Sequence, residues 1–259
     1  MIIIDPIRVI ALLLSVVWIS VNVHSLYPIV RSLIDRSLGI STPATFVKSI
    51  NGGALRAFPT IDVLVPAYDE GDVIQQSIAS IREAKYPQSR LNLYILVEPD
   101  DRETRSALEA LTDTYSFTET VVPTSYPGTP NKPRALNYGF EHTEGDIVGV
   151  IDAESVVSAD LFQKIAVAIA REGCDFAQGL VDMTNEGDGW INTLFRAEYG
   201  YWYAVVVPAF HRVGYPIPLS GTTCFFRRPI LGKIVREGFE AVHGSLGPCS
   251  TKAPLRKRA

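Results

Sequence analysis

The sequence predicts an α/β fold in which a mostly parallel sheet is flanked by helices. Short apolar runs rich in branched side chains recur along the chain, as in strands that are buried on both faces. Helical apolar spacing and short connections separate these runs, which is the pattern of parallel strands joined by right-handed crossovers. The predicted strands cover 61–65, 91–97, 119–122 and 147–151.

The predicted helices follow from start and stop signals between the strands. Acidic residues at 69–72 favour a helix start, because they face the positive end of the helix dipole, and that helix ends before Pro87. A further helix is expected at about 102–112. Pro133 suits the first turn of the next one, which extends to residue 142. The last of the series begins at Ser158 or Asp160 and ends near Gly173.

The N-terminal part of the chain differs from the rest. Residues 7–30 are largely apolar, and their length suits a bilayer span. We therefore expect residues 1–36 to form a single-pass membrane anchor with one transmembrane helix, with a buried core helix as the alternative. Residues 37–58 form a predicted linker. Cations in 31–56 outnumber those before the span, so the positive-inside rule places the remaining chain in the cytoplasm.

Acidic side chains follow three of the predicted strands at the point where each strand ends. Asp152 and Glu154 come directly after one of them, and one residue apart on an extended segment they can point the same way. Because the carboxyl ends of parallel strands meet at one edge of a sheet, we expect the acids to meet there. The other two segments are 66–70, with Glu70, and 98–101, with Glu98, Asp100 and Asp101.

A divalent metal ion accounts for an acidic cleft of this kind. Carboxylates alone repel an anionic substrate, whereas carboxylates that hold Mg²⁺ or Mn²⁺ let the cation hold a diphosphate. Asp152 and Glu154 are the predicted metal ligands. Lys132 and Arg134 add two cations at a helix start, where backbone N–H groups also favour phosphate. The alternatives are an acidic turn that closes a strand and a solvated loop face.

The composition excludes several function classes. The 259 residues are 47% hydrophobic and 20% charged, and the net charge of −4 argues against a general nucleic-acid binder. No glycine-rich dinucleotide fingerprint follows the first predicted strand and no P-loop pattern occurs. These absences argue against a nicotinamide dehydrogenase and a P-loop kinase. The three widely spaced cysteines indicate no disulfide framework.

Three stretches share their order and spacing with a known family. They are Val65 to Glu70, Lys132 to Gly139, and Gly145-Asp146 followed by Asp152-Ala153-Glu154. Together they resemble family-2 nucleotide-sugar glycosyltransferases, which have the Rossmann-like GT-A fold. The resemblance covers about residues 59–231, the expected glycosyltransferase domain. It implies metal-dependent transfer of a sugar, of the hexosyltransferase type and with inversion, from a nucleotide-diphospho-sugar to a glycan or lipid acceptor, as in polysaccharide biosynthesis.

The resemblance also implies roles for individual residues. Asp152, as the catalytic residue, and Glu154 should lie against the diphosphate and its Mg²⁺ or Mn²⁺. Lys132 and Arg134 should lie near the base or the diphosphate. The residues expected at the nucleobase and ribose are Pro66, Ala67, Tyr68 and Glu70, with one of Glu98, Asp100 and Asp101. The residues expected on the acceptor side are Ser220, Gly221, Thr222 and Trp202.

Two motifs of the family are missing. No aspartate follows Ser220, so the general base that takes the acceptor proton has no candidate, and such a loss costs a factor of about 10²–10⁴ in rate. No tryptophan follows Trp202, so the Gln-x-x-Arg-Trp motif is absent as well. Residues 232–259 hold six cationic and two anionic side chains. We therefore expect a truncated chain with a basic, non-native tail.

Two alternatives to an active transferase remain open. One is a catalytically dead fragment, or a non-catalytic partner that binds the nucleotide sugar. The other is a nucleotidyltransferase, which can share an α/β sheet and an acidic metal site, although residues 66–72 lack its glycine- and arginine-rich loop. The expected partners of the transferase are a nucleotide-diphospho-sugar donor, a glycan or lipid acceptor and a membrane, and no nucleic acid.

Overall fold

The computed structural model describes residues 6–38, 57–171, 173–181, 189–213, 219 and 221–237. The chain divides into two compact units. The first comprises 1–44 and 181–218, and the second comprises 45–180 and 219–259.

The second unit is built on a six-stranded mixed sheet with the strand order β3-β2-β1-β4-β6-β5. β1 to β4 are parallel to their neighbours among themselves, whereas β6 is antiparallel to both β4 and β5. The predicted α/β class is confirmed, and β6 makes the sheet mixed. The sequence analysis missed β5 and β6. The strands are β1 (Ile61–Ala67), β2 (Leu91–Val97), β3 (Thr118–Val121), β4 (Ile147–Val150), β5 (Phe176–Gln178) and β6 (Cys224–Arg227).

Helices flank this sheet and also make up the first unit. α1, α6 and α7 belong to the first unit, and the other helices belong to the second. The helices are α1 (Pro6–Ser37), α2 (Ile74–Arg82), α3 (Arg102–Glu109), α4 (Lys132–Glu141), α5 (Leu161–Ala166), α6 (Trp190–Tyr201), α7 (Val207–Arg212) and α8 (Arg228–Glu237). Single π-helical segments continue α5 over Val167–Arg171 and α6 over Trp202–Val206.

The core of the second unit lies on both faces of β1. Val63 and Val65 are fully buried and pack in one apolar cluster with Ile78 of α2. Leu64, between them, belongs to a second cluster on the opposite face, with Leu96 of β2. Alternate residues of a strand point to opposite faces, so a strand covered on both sides needs a continuous apolar run. This explains why the apolar run in the sequence indicated the strand.

One charge lies inside this core. Asp62 of β1 has no solvent exposure, and its carboxylate accepts hydrogen bonds from Asn92 Nδ2 at 2.7 Å and from the backbone N–H groups of Glu144 and Gly145 at 2.9 and 2.6 Å. A Cβ atom on Gly145 would lie 2.7 Å from the Asp62 carboxylate, so only glycine fits. The Gly145-Asp146 motif therefore supports the turn into β4, at the amino end of that strand.

The segment predicted as a membrane anchor is helical and lies in α1. Among the described residues, no helix is both long enough and apolar enough to cross a membrane. The predicted transmembrane helix is thus not found in the described part of the chain.

Two further predicted segments fall largely outside the described residues. They are the linker at 37–58, of which 39–56 are not described, and the basic tail at 232–259, of which 238–259 are not described. The first residues of that tail belong to α8. Cys174 is disulfide-bonded, a pairing that the wide spacing of the cysteines did not indicate, and Cys224 is buried.

Candidate active site

The carboxyl ends of the parallel strands bring the acidic segments to one place. Ala67, the last residue of β1, is the register partner of Val97, the last residue of β2. On the other side of β1, Val150 of β4 lies beside Leu64. The loops that follow these three strands therefore start at one edge of the sheet. Ligands of open α/β sheets bind at such an edge.

Asp152 lies just beyond β4 and forms an ion pair with Lys132. The ammonium Nζ of Lys132 bonds to Oδ1 of Asp152. Lys132 is the first residue of α4, and the side chain of Asn131 caps this helix by accepting a hydrogen bond from the backbone N–H of Arg134 at 2.9 Å. The backbone N–H of Asp152 donates to Thr222 Oγ1 at 3.1 Å. Hydrogen bonds thus hold the backbone on both sides of the ion pair.

A second carboxylate, Glu70, lies near Asp152 and Glu154. Partial burial raises the pKa of Glu70 above its ordinary value of 4.5, and the negative charges of Glu154, Asp69 and Asp152 raise it further. Carboxylates from two loops therefore lie close enough for each negative charge to disfavour ionisation of its neighbours. A cation bound in this region would relieve the repulsion.

The donor atoms at this edge suit a hard divalent cation in their chemistry. Asp152 and Glu154 offer carboxylate oxygens, which Mg²⁺ and Mn²⁺ prefer, and Ala153 between them is buried. Within the described ranges, no group of three or more His, Cys, Asp or Glu side chains is arranged to hold a metal ion. The described part of the chain would therefore contribute two carboxylates to such a site.

Arg134 is buried, and its guanidinium is bonded to other parts of the chain. Nη1 donates to both carboxylate oxygens of Glu98, at 2.8 and 2.9 Å. Nη2 donates to the carbonyl oxygens of Pro123 and Tyr126, at 2.6 and 3.0 Å. The sequence predicts ligand contacts for Arg134 and for Glu98, whereas in the structure the two side chains bind each other. They connect the start of α4 to the end of β2.

The other two acids after β2 differ in exposure. Asp101 is buried, and its carboxylate caps α3 by accepting the backbone N–H of Thr104 at 3.1 Å. The same carboxylate accepts the backbone N–H of Asp69 at 3.0 Å, so it also holds the loop after β1. Asp100 is exposed. Of the acids in this segment, Asp100 is therefore the one open to a ligand.

The loop after β1 presents an aromatic ring to solvent. Pro66 and Ala67 end the strand, and the side chain of Tyr68 that follows is 60% exposed. Asp69 has a φ of 60°, in the left-handed region that non-glycine residues seldom adopt. The backbone N–H of Glu70 donates to a hydroxyl group on α3 at 2.9 Å. The loop is thus held by its backbone, which leaves Tyr68 free to cover a flat ligand.

A side chain that the sequence analysis did not single out holds the loop before β6. Gln178, at the end of β5, donates from Nε2 to the carbonyl oxygen of Thr222 at 3.0 Å. The thiol of Cys224 donates to Gln178 Oε1 at 2.9 Å, which orients the amide. Because Thr222 also accepts from Asp152, the amide of Gln178 is linked to the acid at the edge. β5 has three residues, too few to show a strand periodicity.

The remaining predicted acceptor-side residues are placed differently. Gly221 is exposed and has a φ of 80°, whereas Ser220 lies outside the described residues. Trp202 belongs to the first unit and is exposed, like much of α6 before it. The large apolar side chains exposed on α6 are Trp190, Ile191, Leu194, Phe195, Tyr199 and Tyr201.

Comparison with known proteins decides the family. The family model described as "Glycosyltransferase like family 2" matches residues 59–248, a range that contains the whole edge described above. The chain belongs to this glycosyltransferase family. The resemblance carried by the sequence motifs is therefore confirmed, and the nucleotidyltransferase alternative is set aside.

Curated relatives of this glycosyltransferase-family chain are longer than it is. The N-acetylglucosaminyltransferase of Rhizobium meliloti (strain 1021) is 24% identical over 203 residues, which are 75% of this chain and 47% of the relative. The beta-monoglucosyldiacylglycerol synthase of Nostoc sp. (strain PCC 7120) is 27% identical over 172 residues, which are 62% of this chain and 36% of the relative. The chain spans about half the length of such relatives, or less.

A solved structure shares the fold. The mannosyltransferase from Pyrobaculum calidifontis, in complex with GDP-Man and Mn²⁺, superposes with a TM-score of 0.61 at 18% sequence identity. The match covers 83% of this chain and 56% of the mannosyltransferase. At this level of identity the match shows a common fold for the glycosyltransferase-family chain.

Proposed function

We propose that this chain transfers a sugar from a nucleotide-diphospho-sugar to a glycan or lipid acceptor, with inversion and with Mg²⁺ or Mn²⁺. The observation that carries the proposal is the pairing of charges at the sheet edge. The ammonium of Lys132 lies against Asp152, while Glu70 lies within the electrostatic reach of Asp152 and Glu154. A diphosphate with its metal ion carries both signs of charge, so it complements such a site.

The substrate class is supported by the proteins that this chain resembles. One is named as an N-acetylglucosaminyltransferase, and another was solved with GDP-Man and Mn²⁺. Both names refer to transfer of a hexose unit. We extend this substrate class, a nucleotide-activated hexose, to this chain. Titration with different nucleotide sugars would identify the particular sugar.

Each residue at the edge has a proposed task in binding. The exposed ring of Tyr68 covers the nucleobase, and the exposed carboxylate of Asp100 accepts a hydrogen bond from a ribose hydroxyl. Asp152 and Glu154 hold the metal ion, which when bound supplies Lewis-acid stabilisation of the leaving nucleoside diphosphate. Lys132 adds positive charge beside the diphosphate. Pro66 and Ala67 shape the floor of the site with backbone and small side chains.

A second candidate function is nucleotide-sugar binding without turnover. Transfer requires a base that takes the proton of the acceptor hydroxyl as it attacks the sugar. The donor half of the site does not depend on this base. Binding of the donor and transfer to an acceptor are therefore separable properties of this chain.

We also propose that the chain works at the cytoplasmic face of a membrane. In the first unit, α1 exposes large apolar side chains, such as Val23, Leu26 and Leu33, and α6 exposes Trp190 and Phe195. Exposed apolar surface of this extent marks an interaction site. Co-sedimentation of the purified chain with anionic lipid vesicles tests the proposal. A chain that stays in the supernatant at every lipid concentration would contradict it.

The experiment that tests the donor site is a calorimetric titration with UDP, GDP and their sugar conjugates, with and without Mn²⁺. The expected result is binding that requires Mn²⁺ and that differs between the two bases. Product formation with oligosaccharide or glycolipid acceptors then separates transfer from binding alone. Absence of nucleotide binding in both conditions would refute the donor site.

A further inference from the structure

Asp152, which the proposed function assigns to a metal ion, already forms an ion pair with a lysine side chain. The ammonium of Lys132 bonds to Oδ1 of Asp152. The two side chains are 42% and 24% exposed, so the pair lies at the surface of the site and is open to incoming ions. An ammonium and a divalent cation compete for the same carboxylate, because their positive charges repel each other at such short range.

The backbone on the lysine side of the pair is held in place. The capping side chain of Asn131 accepts the N–H of Arg134 at 2.9 Å. The guanidinium of Arg134 donates hydrogen bonds to Glu98 and to two carbonyl groups of the loop before α4. The start of α4 is therefore fixed to β2, and only the four-carbon side chain of Lys132 is free to move.

The backbone on the aspartate side is held as well. Asp152 directly follows the buried Ile151, and its N–H donates to Thr222 Oγ1 at 3.1 Å. A cation that arrives at Asp152 therefore cannot draw the carboxylate away from Lys132 by shifting the strand end. It competes with the ammonium, which can move away because the four-carbon stem of the lysine is flexible.

We propose that Lys132 is an exchangeable cation that occupies Asp152 until a divalent metal ion takes its place, and that the displaced ammonium then binds the diphosphate. The proposal rests on the proposed function, since it uses the same metal and nucleotide. Lys132 thus opposes metal binding in the free chain and favours nucleotide binding in the metal-loaded chain. Metal and nucleoside diphosphate consequently bind with positive coupling.

The two roles predict opposite signs for one substitution. Removal of the ammonium in Lys132→Ala frees Asp152, so Mn²⁺ alone should bind more tightly, by about 2- to 5-fold for a surface ion pair of this kind. The same variant lacks the positive charge that would bind the diphosphate, so UDP or GDP at saturating Mn²⁺ should bind on the order of 10-fold more weakly. A residue that only contacts the nucleotide would give the second effect without the first.

Electron paramagnetic resonance of free Mn²⁺ and calorimetry with UDP and GDP measure the two affinities in wild type and Lys132→Ala. Lys164→Ala is the matched control, because Lys164 pairs with Asp160 at comparable exposure on α5, away from the edge. Lys132→Arg keeps a cation and should bind Mn²⁺ alone like wild type.

The titrations distinguish the cation exchange from simple nucleotide contact and from absence of a donor site. Tighter Mn²⁺ together with weaker nucleotide binding in Lys132→Ala, with the Lys164 control unchanged, supports the exchange. Unchanged or weaker Mn²⁺ binding with weaker nucleotide binding overturns it while the donor site survives. A wild-type chain that binds neither Mn²⁺ nor nucleotide refutes the proposed function, and the exchange with it.

Discussion

Arg134 and Glu98 form a buried ion pair in which Nη1 of the arginine donates to both carboxylate oxygens, at 2.8 and 2.9 Å. The side chains are 4% and 10% exposed. The pair joins the first turn of α4 to the end of β2, and the same guanidinium holds two carbonyl groups of the preceding loop. Lys132 owes its position at the sheet edge to this connection.

Arg134→Ala should be strongly destabilising. It leaves the Glu98 carboxylate buried without its partner, and breaking a buried pair in this way costs about 3–5 kcal/mol of unfolding free energy. Urea denaturation followed by circular dichroism measures the loss. Arg105→Ala is the control, because Arg105 pairs with Glu119 near the surface, where loss of an ion pair has a much smaller effect. Equal losses for the two variants would show that burial of the pair does not matter.

Asp152→Asn should weaken metal-dependent nucleotide binding while the fold is kept. The amide preserves the size of the side chain but removes the negative charge that holds a divalent cation, so UDP or GDP affinity in Mn²⁺ should fall by a factor of about 10 or more. Calorimetry gives the affinity, and circular dichroism checks the fold. Asp113→Asn, on an exposed turn, should bind like wild type. Undiminished binding by Asp152→Asn would remove Asp152 from the metal site.

Glu70 should make stability depend on pH in a defined direction. Partial burial and the neighbouring carboxylates raise its pKa in the folded chain, so the folded state prefers the neutral carboxyl group. Its contribution to stability is therefore full below the ordinary pKa of 4.5 and is lost as the pH rises through the raised pKa. Glu70→Gln should consequently be more stable than wild type at pH 7, by less than about 1 kcal/mol because the group is partly solvated.

Thermal unfolding of wild type and Glu70→Gln at pH 7 and at pH 4 checks this expectation. The difference between the two proteins should shrink at the lower pH, at which the wild-type carboxyl group is protonated. Glu109→Gln, on the exposed side of α3, controls for the loss of one charge from the surface. A difference that stays constant with pH would mean that the carboxylates at the edge do not interact.

Gly149→Ala should disrupt the contact between β4 and β6. A Cβ atom at this position would lie 2.2 Å from the ring of Phe225, which is fully buried and cannot move aside easily. Overpacking of this kind costs about 1–3 kcal/mol of unfolding free energy. Gly200→Ala, with no heavy atom within 4 Å of the new methyl group, should instead stabilise α6 by about 0.5–1 kcal/mol. The two unfolding midpoints should therefore move in opposite directions.

Much of the second unit could be predicted from local sequence pattern. β2 has the predicted bounds, 91–97, because a largely buried strand needs a mostly apolar run and charge marks its ends. The same reasoning led to Asp152, Glu154 and Glu70, since parallel strands end at one edge wherever their helices cross over. β5 escaped prediction because three residues show no periodicity, and β6 because its antiparallel pairing lies outside the alternation of strands and crossover helices that indicated the others.

Side-chain partners could not be predicted in the same way. Arg134 and Glu98 are 36 residues apart in sequence, and Lys132 and Asp152 are 20 apart. The sequence analysis treated both cations at the start of α4 as equivalent, yet one is buried in an ion pair and the other lies at the open edge. The two side chains leave the helix in different directions. Which groups they meet depends on how the helix packs against the neighbouring strands.

The sequence by itself determined the α/β class, the strands at the centre of the sheet and the loops that carry the acids. These depend on apolar spacing and chain connectivity, which are local properties. Only the tertiary structure decided which carboxylate each cation meets, because ion pairs form between segments that the sheet brings together from distant parts of the chain. For that reason the sheet edge at which the acidic segments meet could be predicted, whereas the pairing of Lys132 with Asp152 and of Arg134 with Glu98 had to be observed.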